Sequence, residues 1–116
     1  MLRHCRILVV DDDPDIREAI AEVLRMEGAT VLTASSGPEA LETLSVIRPS
    51  LVLLDLMMPG MTGWDVFERM RERPALAKVP VCIISAVANR APPAVDRVLV
   101  KPIAIDDLLK TVKDFC

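Results

Sequence analysis

Asp11, Asp12 and Asp13 follow directly on the apolar run Ile7 to Val10, Asp55 follows Leu51 to Leu54, Ser85 follows Val79 to Ile84, and Lys101 follows Val98 to Val100. If those runs are parallel strands of one sheet, the side chains after them meet in the crevice outside the strands' carboxyl ends. Carboxylates held within a few ångströms of each other repel by roughly 4 kcal/mol per pair at an effective dielectric of about 20. Such a cluster needs a cation. Oxygen donors with no His or Cys beside them select a hard ion, and an open site that keeps its water suits Mg²⁺ better than a closed Ca²⁺ cage. Lys101 adds a compact ammonium able to approach Asp55 or a phosphoryl oxygen, and Ser85 adds a hydroxyl donor from the other side.

Each of these residues has a plainer reading when taken alone. An acidic triplet can be a solvated turn that caps a helix, and capping is the role assigned to Asp13. Lys101 before Pro102 can be an exposed lysine in a tight turn, and Ser85 can satisfy local backbone groups. It is their shared position at strand ends that favours the site. Met57, Met58 and Met61 read as loop and core filling rather than thioether ligands. His4 reads as an exposed side chain near the terminus.

The elements that must position this set are legible as five apolar runs: Ile7 to Val10, Thr30 to Ala34, Leu51 to Leu54, Val79 to Ile84 and Val98 to Val100. Three are nearly continuous in β-branched residues and leucine, the pattern of strands buried on both faces of a parallel sheet. Between them lie helical segments. The first starts at Asp13 and Pro14, carries Asp15 and Glu18 early, repeats Ile16, Ile20, Val23 and Leu24, and stops at Gly28. A second spans about Pro38 to Ile47 before Pro49, and a third spans about Trp64 to Arg73 with Trp64, Phe67 and Met70 buried. The last spans about Ile105 to Phe115 with Leu108, Leu109 and Val112 facing inward. The fourth segment, Ala86 to Arg97, contains Asn89, Pro92 and Pro93 and has no clean amphipathic face, so a shortened or irregular helix is expected there. The order βαβαβαβαβα implies a doubly wound α/β fold with a five-stranded parallel sheet.

The 116 residues suit one domain, 1–116, and 52% hydrophobic residues can build its core. Charged residues make up 27% and the net charge is -3, with no basic stripe to follow a phosphate backbone, so direct nucleic-acid binding is not expected. Aromatics are limited to Trp64, Phe67 and Phe115, which leaves the core to Val, Ile, Leu, Ala and Met. Cys5, Cys82 and Cys116 form an odd set without CxxC spacing, for which a reducing, cytoplasmic compartment fits best. No apolar stretch approaches a bilayer span, and the run after Arg6 is too short for a signal-peptide core, so no membrane association is expected.

Four segments together resemble the signature segments of response-regulator receiver domains, the CheY-like modules of two-component signalling. They are Ile7-Leu-Val-Val-Asp-Asp-Asp-Pro14, Leu51-Val-Leu-Leu-Asp-Leu-Met-Met-Pro-Gly-Met-Thr-Gly-Trp64, Ile83-Ile-Ser-Ala86 and Val100-Lys-Pro102. The resemblance implies a flavodoxin-like sheet of strand order 2-1-3-4-5 and a phosphoacceptor at Asp55, which takes its phosphoryl group from a histidine kinase or phosphotransfer protein. It further implies Mg²⁺ held by Asp11, Asp12, Asp55 and the backbone carbonyl of Met57, with Ser85 and Lys101 on the phosphoryl group. Pro59 and Gly63 would shape the loop after Asp55. Phosphoryl transfer of this kind is positioning and charge neutralisation, in single turnovers on the chain itself, so the protein is not expected to be an enzyme. A receiver without its own output domain, acting on an effector protein, is the expected function.

Two departures from the family pattern stand out. Val98 occupies the position, three before the lysine, where most receivers carry Tyr or Phe. The stretch from Ser85 to Lys101 is several residues short of the family's. These departures keep open an alternative, a receiver-like binding module that works without phosphorylation. A phosphohydrolase of the haloacid dehalogenase type is a weaker rival, because its Asp-x-Asp nucleophile motif is replaced here by Asp-Asp-Asp-Pro.

Overall fold

The computed structural model describes residues 2–87, 90–92 and 94–116. The elements follow in the order β1 (Arg6–Val10), α1 (Pro14–Met26), β2 (Thr30–Ala34), α2 (Gly37–Leu44), β3 (Leu51–Asp55), α3 (Gly63–Glu72), β4 (Val81–Ser85), β5 (Arg97–Val100) and α4 (Ile105–Phe115). All strand pairings are parallel, and the sheet order is β2-β1-β3-β4-β5. This is the doubly wound arrangement that the alternation of apolar runs and helices implies.

Alternation along the strands divides the core in two. Leu8, Val10, Val52, Leu54, Val81 and Ile83 point to the face covered by α2 and α3. Ile7, Val9, Leu51, Leu53, Cys82 and Ile84 point to the face covered by α1 and α4. Every residue of β3 and β4 is buried, as expected of central strands in a sheet with helices on both sides.

The helix ends follow their capping chemistry. Asp13 accepts from the amides of Asp15 and Ile16, Pro14 sits in the first turn, and Gly28 takes a positive φ of 96° just past the end of α1. The second helix ends at Leu44 rather than near Ile47, because Ser45 closes it with its hydroxyl on the carbonyl of Glu42 at 2.6 Å. Thr62 and Asp65 form a reciprocal capping box at the start of α3, a role that the Thr-x-x-Asp spacing ahead of the helix signals. Trp64 was expected inside but is 39% exposed, with its indole Nε1 donating to the carbonyl of Arg90 at 2.8 Å. Being an amphipathic ring, it uses the polar edge that full burial would leave unpaired.

Between β4 and β5 the described residues form no α-helix. The Arg90 amide bonds the carbonyl of Val87 at 3.4 Å, and the Val95 amide bonds that of Pro92 at 3.3 Å. The expected irregularity is therefore present, while Asn89 and Pro93, which helped to motivate it, lie outside the described residues. Asp96 fastens the far end of this segment, its carboxylate accepting from the Val81 amide at 2.8 Å.

The cysteines hold one feature their spacing does not announce. Cys5, ahead of β1, is bonded to Cys116, one residue past α4, with the two Cα atoms 5.5 Å apart. Cys82 is free and buried. Among the described residues no helix is long and apolar enough to cross a membrane.

Candidate functional site

Val10 lies opposite Leu54 in the ladder between β1 and β3, so the residues that follow stand side by side at the carboxyl ends of the two strands. Those residues are Asp11 and Asp55. Asp11 is fully buried, Asp55 is 3% exposed, and Asp12 is exposed. One carboxylate oxygen from each of the three lies within 4.8 Å of the others.

Local hydrogen bonds fix this geometry. The Asp11 amide extends the ladder to the carbonyl of Ala34 at 3.2 Å, and Asp11 Oδ1 accepts from the Asp13 amide at 2.9 Å, which turns the chain into α1. Arg17 reaches back from the first turns of α1 and donates to the Asp11 carbonyl at 2.9 Å. Nothing in the sequence pattern marks Arg17 for this part, since the bond depends on how α1 is set against the loop.

Lys101 enters from the opposite side of the crevice. Its amide donates to the Ser85 carbonyl at 2.8 Å, continuing the ladder between β4 and β5, and the Lys101–Pro102 peptide is cis. The ammonium stands 3.3 Å from Asp11 Oδ2 and 3.5 Å from Asp55 Oδ1. Asp11 Oδ2 is buried and, despite that ion pair, has no hydrogen bond of proper geometry. One ammonium thus pairs with two of the three clustered carboxylates.

The imbalance is visible in the proton affinities. Burial, reinforced by the charge of Asp11 and opposed by Lys101, pushes the Asp55 carboxyl up to about 7. For Lys101, burial acts to lower the affinity, but the carboxylates of Asp55 and Asp11 outweigh it and hold the ammonium above its ordinary value. A cation among the three carboxylates would relieve both the repulsion and the orphaned oxygen. The donor set, all oxygen and partly open to solvent at Asp12, fits a hard divalent ion.

Two further residues border the cluster. Ser85 is buried at the end of β4, and its hydroxyl is engaged with Val87, donating to the carbonyl and accepting from the amide, both at 3.0 Å. The Met57 side chain points outward and is exposed, while its amide approaches Asp55 Oδ1 at 3.4 Å. Gly63 brings α3 against the end of β3, where a Cβ would lie 2.5 Å from the Asp55 carbonyl oxygen and 2.8 Å from the Cα of Leu56. Its amide bonds the Leu56 carbonyl at 2.9 Å, so the loop after Asp55 is closed tightly behind the site.

The family model for the response regulator receiver domain matches residues 7–113. The chain belongs to this family. The receiver is 47% identical over 81 residues to the DNA-binding response regulator MtrA of Mycolicibacterium smegmatis, a match covering 70% of this chain and 34% of that protein. It therefore spans about a third of the length of that relative. An uncharacterized 14.6 kDa protein of Leptolyngbya boryana is 34% identical, with 99% of this chain and 92% of that one covered. Among solved structures, the receiver resembles the response regulator TrrA of Thermotoga maritima in complex with Mg²⁺-BeF, at 34% identity and a TM-score of 0.87 over 97% and 99% of the two chains. The chemotaxis response regulator CheY4 of Vibrio cholerae gives 28% identity and a TM-score of 0.88, with 97% of this chain and 98% of that one covered. Val98 is a partly buried aliphatic side chain packed on the α2 and α3 face.

Proposed function

We propose that the receiver accepts a phosphoryl group on Asp55 from a phosphohistidine of a kinase or phosphotransfer protein, and that this modification switches its binding to an effector protein. The observation that supports this most is the meeting of Asp11, Asp12 and Asp55 within 4.8 Å, with Lys101 bridging Asp11 and Asp55. An Asp55 carboxylate oxygen forms the new bond to phosphorus as the bond from phosphorus to the histidine nitrogen breaks. The imidazole leaves and takes up a proton. Mg²⁺, held by Asp11, Asp12, Asp55 and the Met57 carbonyl, would supply charge neutralisation for the transferred group. Lys101 pairs with the phosphoryl oxygens, and Ser85 turns its hydroxyl from Val87 toward them.

The complex of TrrA with Mg²⁺-BeF supports the same ligand chemistry here. The domain acts on itself in single turnovers, in the cytoplasm, and does not itself grip DNA, whatever the proteins related to MtrA carry beyond this region. A module that binds partners without phosphorylation, the alternative suggested by Val98 and the short fourth segment, is not favoured, since it gives no reason for two buried carboxylates beside a third.

Intact mass after incubation with acetyl phosphate tests the reading. A gain of about 80 Da, one phosphoryl group, is expected with Mg²⁺ and is absent both with chelator and in Asp55→Asn. If neither acetyl phosphate nor beryllofluoride modifies or binds the wild type in the presence of Mg²⁺, the proposal fails.

A further inference from the structure

At the end of the strands opposite the carboxylates, Cys5 and Cys116 are placed as a matched pair of unequal access. Their Cα separation of 5.5 Å falls in the range that a disulfide spans without backbone movement. Cys5 is 3% exposed and fixed on both sides, with its amide on the Leu2 carbonyl at 3.1 Å and its carbonyl accepting from Thr30 at 3.0 Å. Cys116 is exposed and held on the end of α4 by its amide bond to Val112 at 3.0 Å. Both cysteines line an open cavity of about 400 Å³ together with Leu2, Arg3 and His4. The remaining thiol, Cys82, is buried among the central strands, and burial pushes it up to about 12, so it stays protonated and inert.

We propose that Cys5 and Cys116 are a reversible oxidation site, closed by a small anionic disulfide such as glutathione disulfide, and that closure staples α4 to the start of β1. The exposed Cys116 reacts first. It gives its proton to solvent, and its thiolate attacks one donor sulfur, breaking the donor's S–S bond and releasing one donor thiol. Cys5 then loses its proton and attacks the Cys116 sulfur, which forms the internal disulfide and releases the second donor thiol. Two protein thiols and one donor disulfide thus become one protein disulfide and two donor thiols. Arg3 and the cavity beside the pair suit a donor that carries carboxylates. The bridge closes a sequence separation of 111 residues, a large restraint on the unfolded chain, and it lies far from the carboxylates.

The test equilibrates the whole chain with glutathione and glutathione disulfide at graded ratios, then follows peptide mass and melting. Expected are a peptide linked through Cys5 and Cys116, in the wild type and in Cys82→Ala alike, and a melting temperature raised by roughly 10 °C on oxidation. Cys5→Ser should trap a glutathionyl group on Cys116, whereas Cys116→Ser should leave Cys5 unmodified. Phosphoryl acceptance at Asp55 should be the same in both redox states, which keeps this result separate from that of the phosphorylation test. No Cys5–Cys116 peptide at any ratio, glutathionylation of Cys5 in preference to Cys116, or an unchanged melting temperature in the cross-linked chain would each overturn the proposal.

Discussion

Asp55 is held at a cost to the fold. Its carboxyl is raised from 3.8 to about 7, first by burial and then by the charge of Asp11. Between about pH 4 and 7 the folded chain therefore keeps a proton that the unfolded chain has released. Stability falls as pH rises through that window and stays low above it. Asp55→Asn removes the titrating group, so with chelator present the variant should be more stable than the wild type at pH 8, by at most about 4 kcal/mol, with little difference near pH 4. Urea unfolding at several pH values checks this, and a difference that does not change with pH would refute it. At this scale the sequence is most informative where position follows from one strand, as for Asp11, Asp55 and Lys101. It is silent on Arg17, whose bond to the Asp11 carbonyl depends on the docking of a whole helix.

Gly60, in the loop after β3, and Gly63, at the start of α3, separate two reasons for the same residue type. Gly60 has a φ of 74° and nothing within 4 Å of a would-be Cβ, whereas Gly63 has no backbone demand but no room. Gly60→Asn should be nearly neutral, because asparagine tolerates the left-handed region. Gly63→Ala should lose about 1–3 kcal/mol, since the new methyl meets backbone that cannot yield without moving Asp55. Its phosphoryl acceptance should fall as well. Chemical denaturation of the two variants, with adduct mass as the second readout, decides between these outcomes, and equal effects would show that crowding behind Asp55 is not the constraint. The helices themselves are legible from caps and apolar spacing, but Trp64 is not. Its partner, Arg90, is 26 residues away across the irregular segment, and helical periodicity cannot report a contact of that range.

At the scale of the molecule, the alternation of strand and helix implies a doubly wound parallel sheet, while the order 2-1-3-4-5 is what the resemblance to receivers adds. What pattern alone does not give is the division of chemistry between the two ends of the strands. The carboxylates gather at the carboxyl ends of β1 and β3, and the Cys5–Cys116 bridge precedes the amino end of β1. A strand advances about 3.3 Å per residue, so β1 separates Cys5 from Asp11 by about 20 Å. Effects at sites so far apart, with no shared partners, add to within about 0.5 kcal/mol unless a two-state element joins them. Mg²⁺ at a hundred times its dissociation constant should stabilise the fold by about 2.7 kcal/mol. The disulfide acts mainly on the unfolded chain, and the metal only on the folded one. Melting the protein reduced and oxidised, each with and without Mg²⁺, should therefore give two independent increments, the metal's being lost in Asp12→Asn and the bridge's kept. An interaction well above about 0.5 kcal/mol would mean that β1 carries strain from one end to the other, making the redox state of the pair an input to the phosphoryl site.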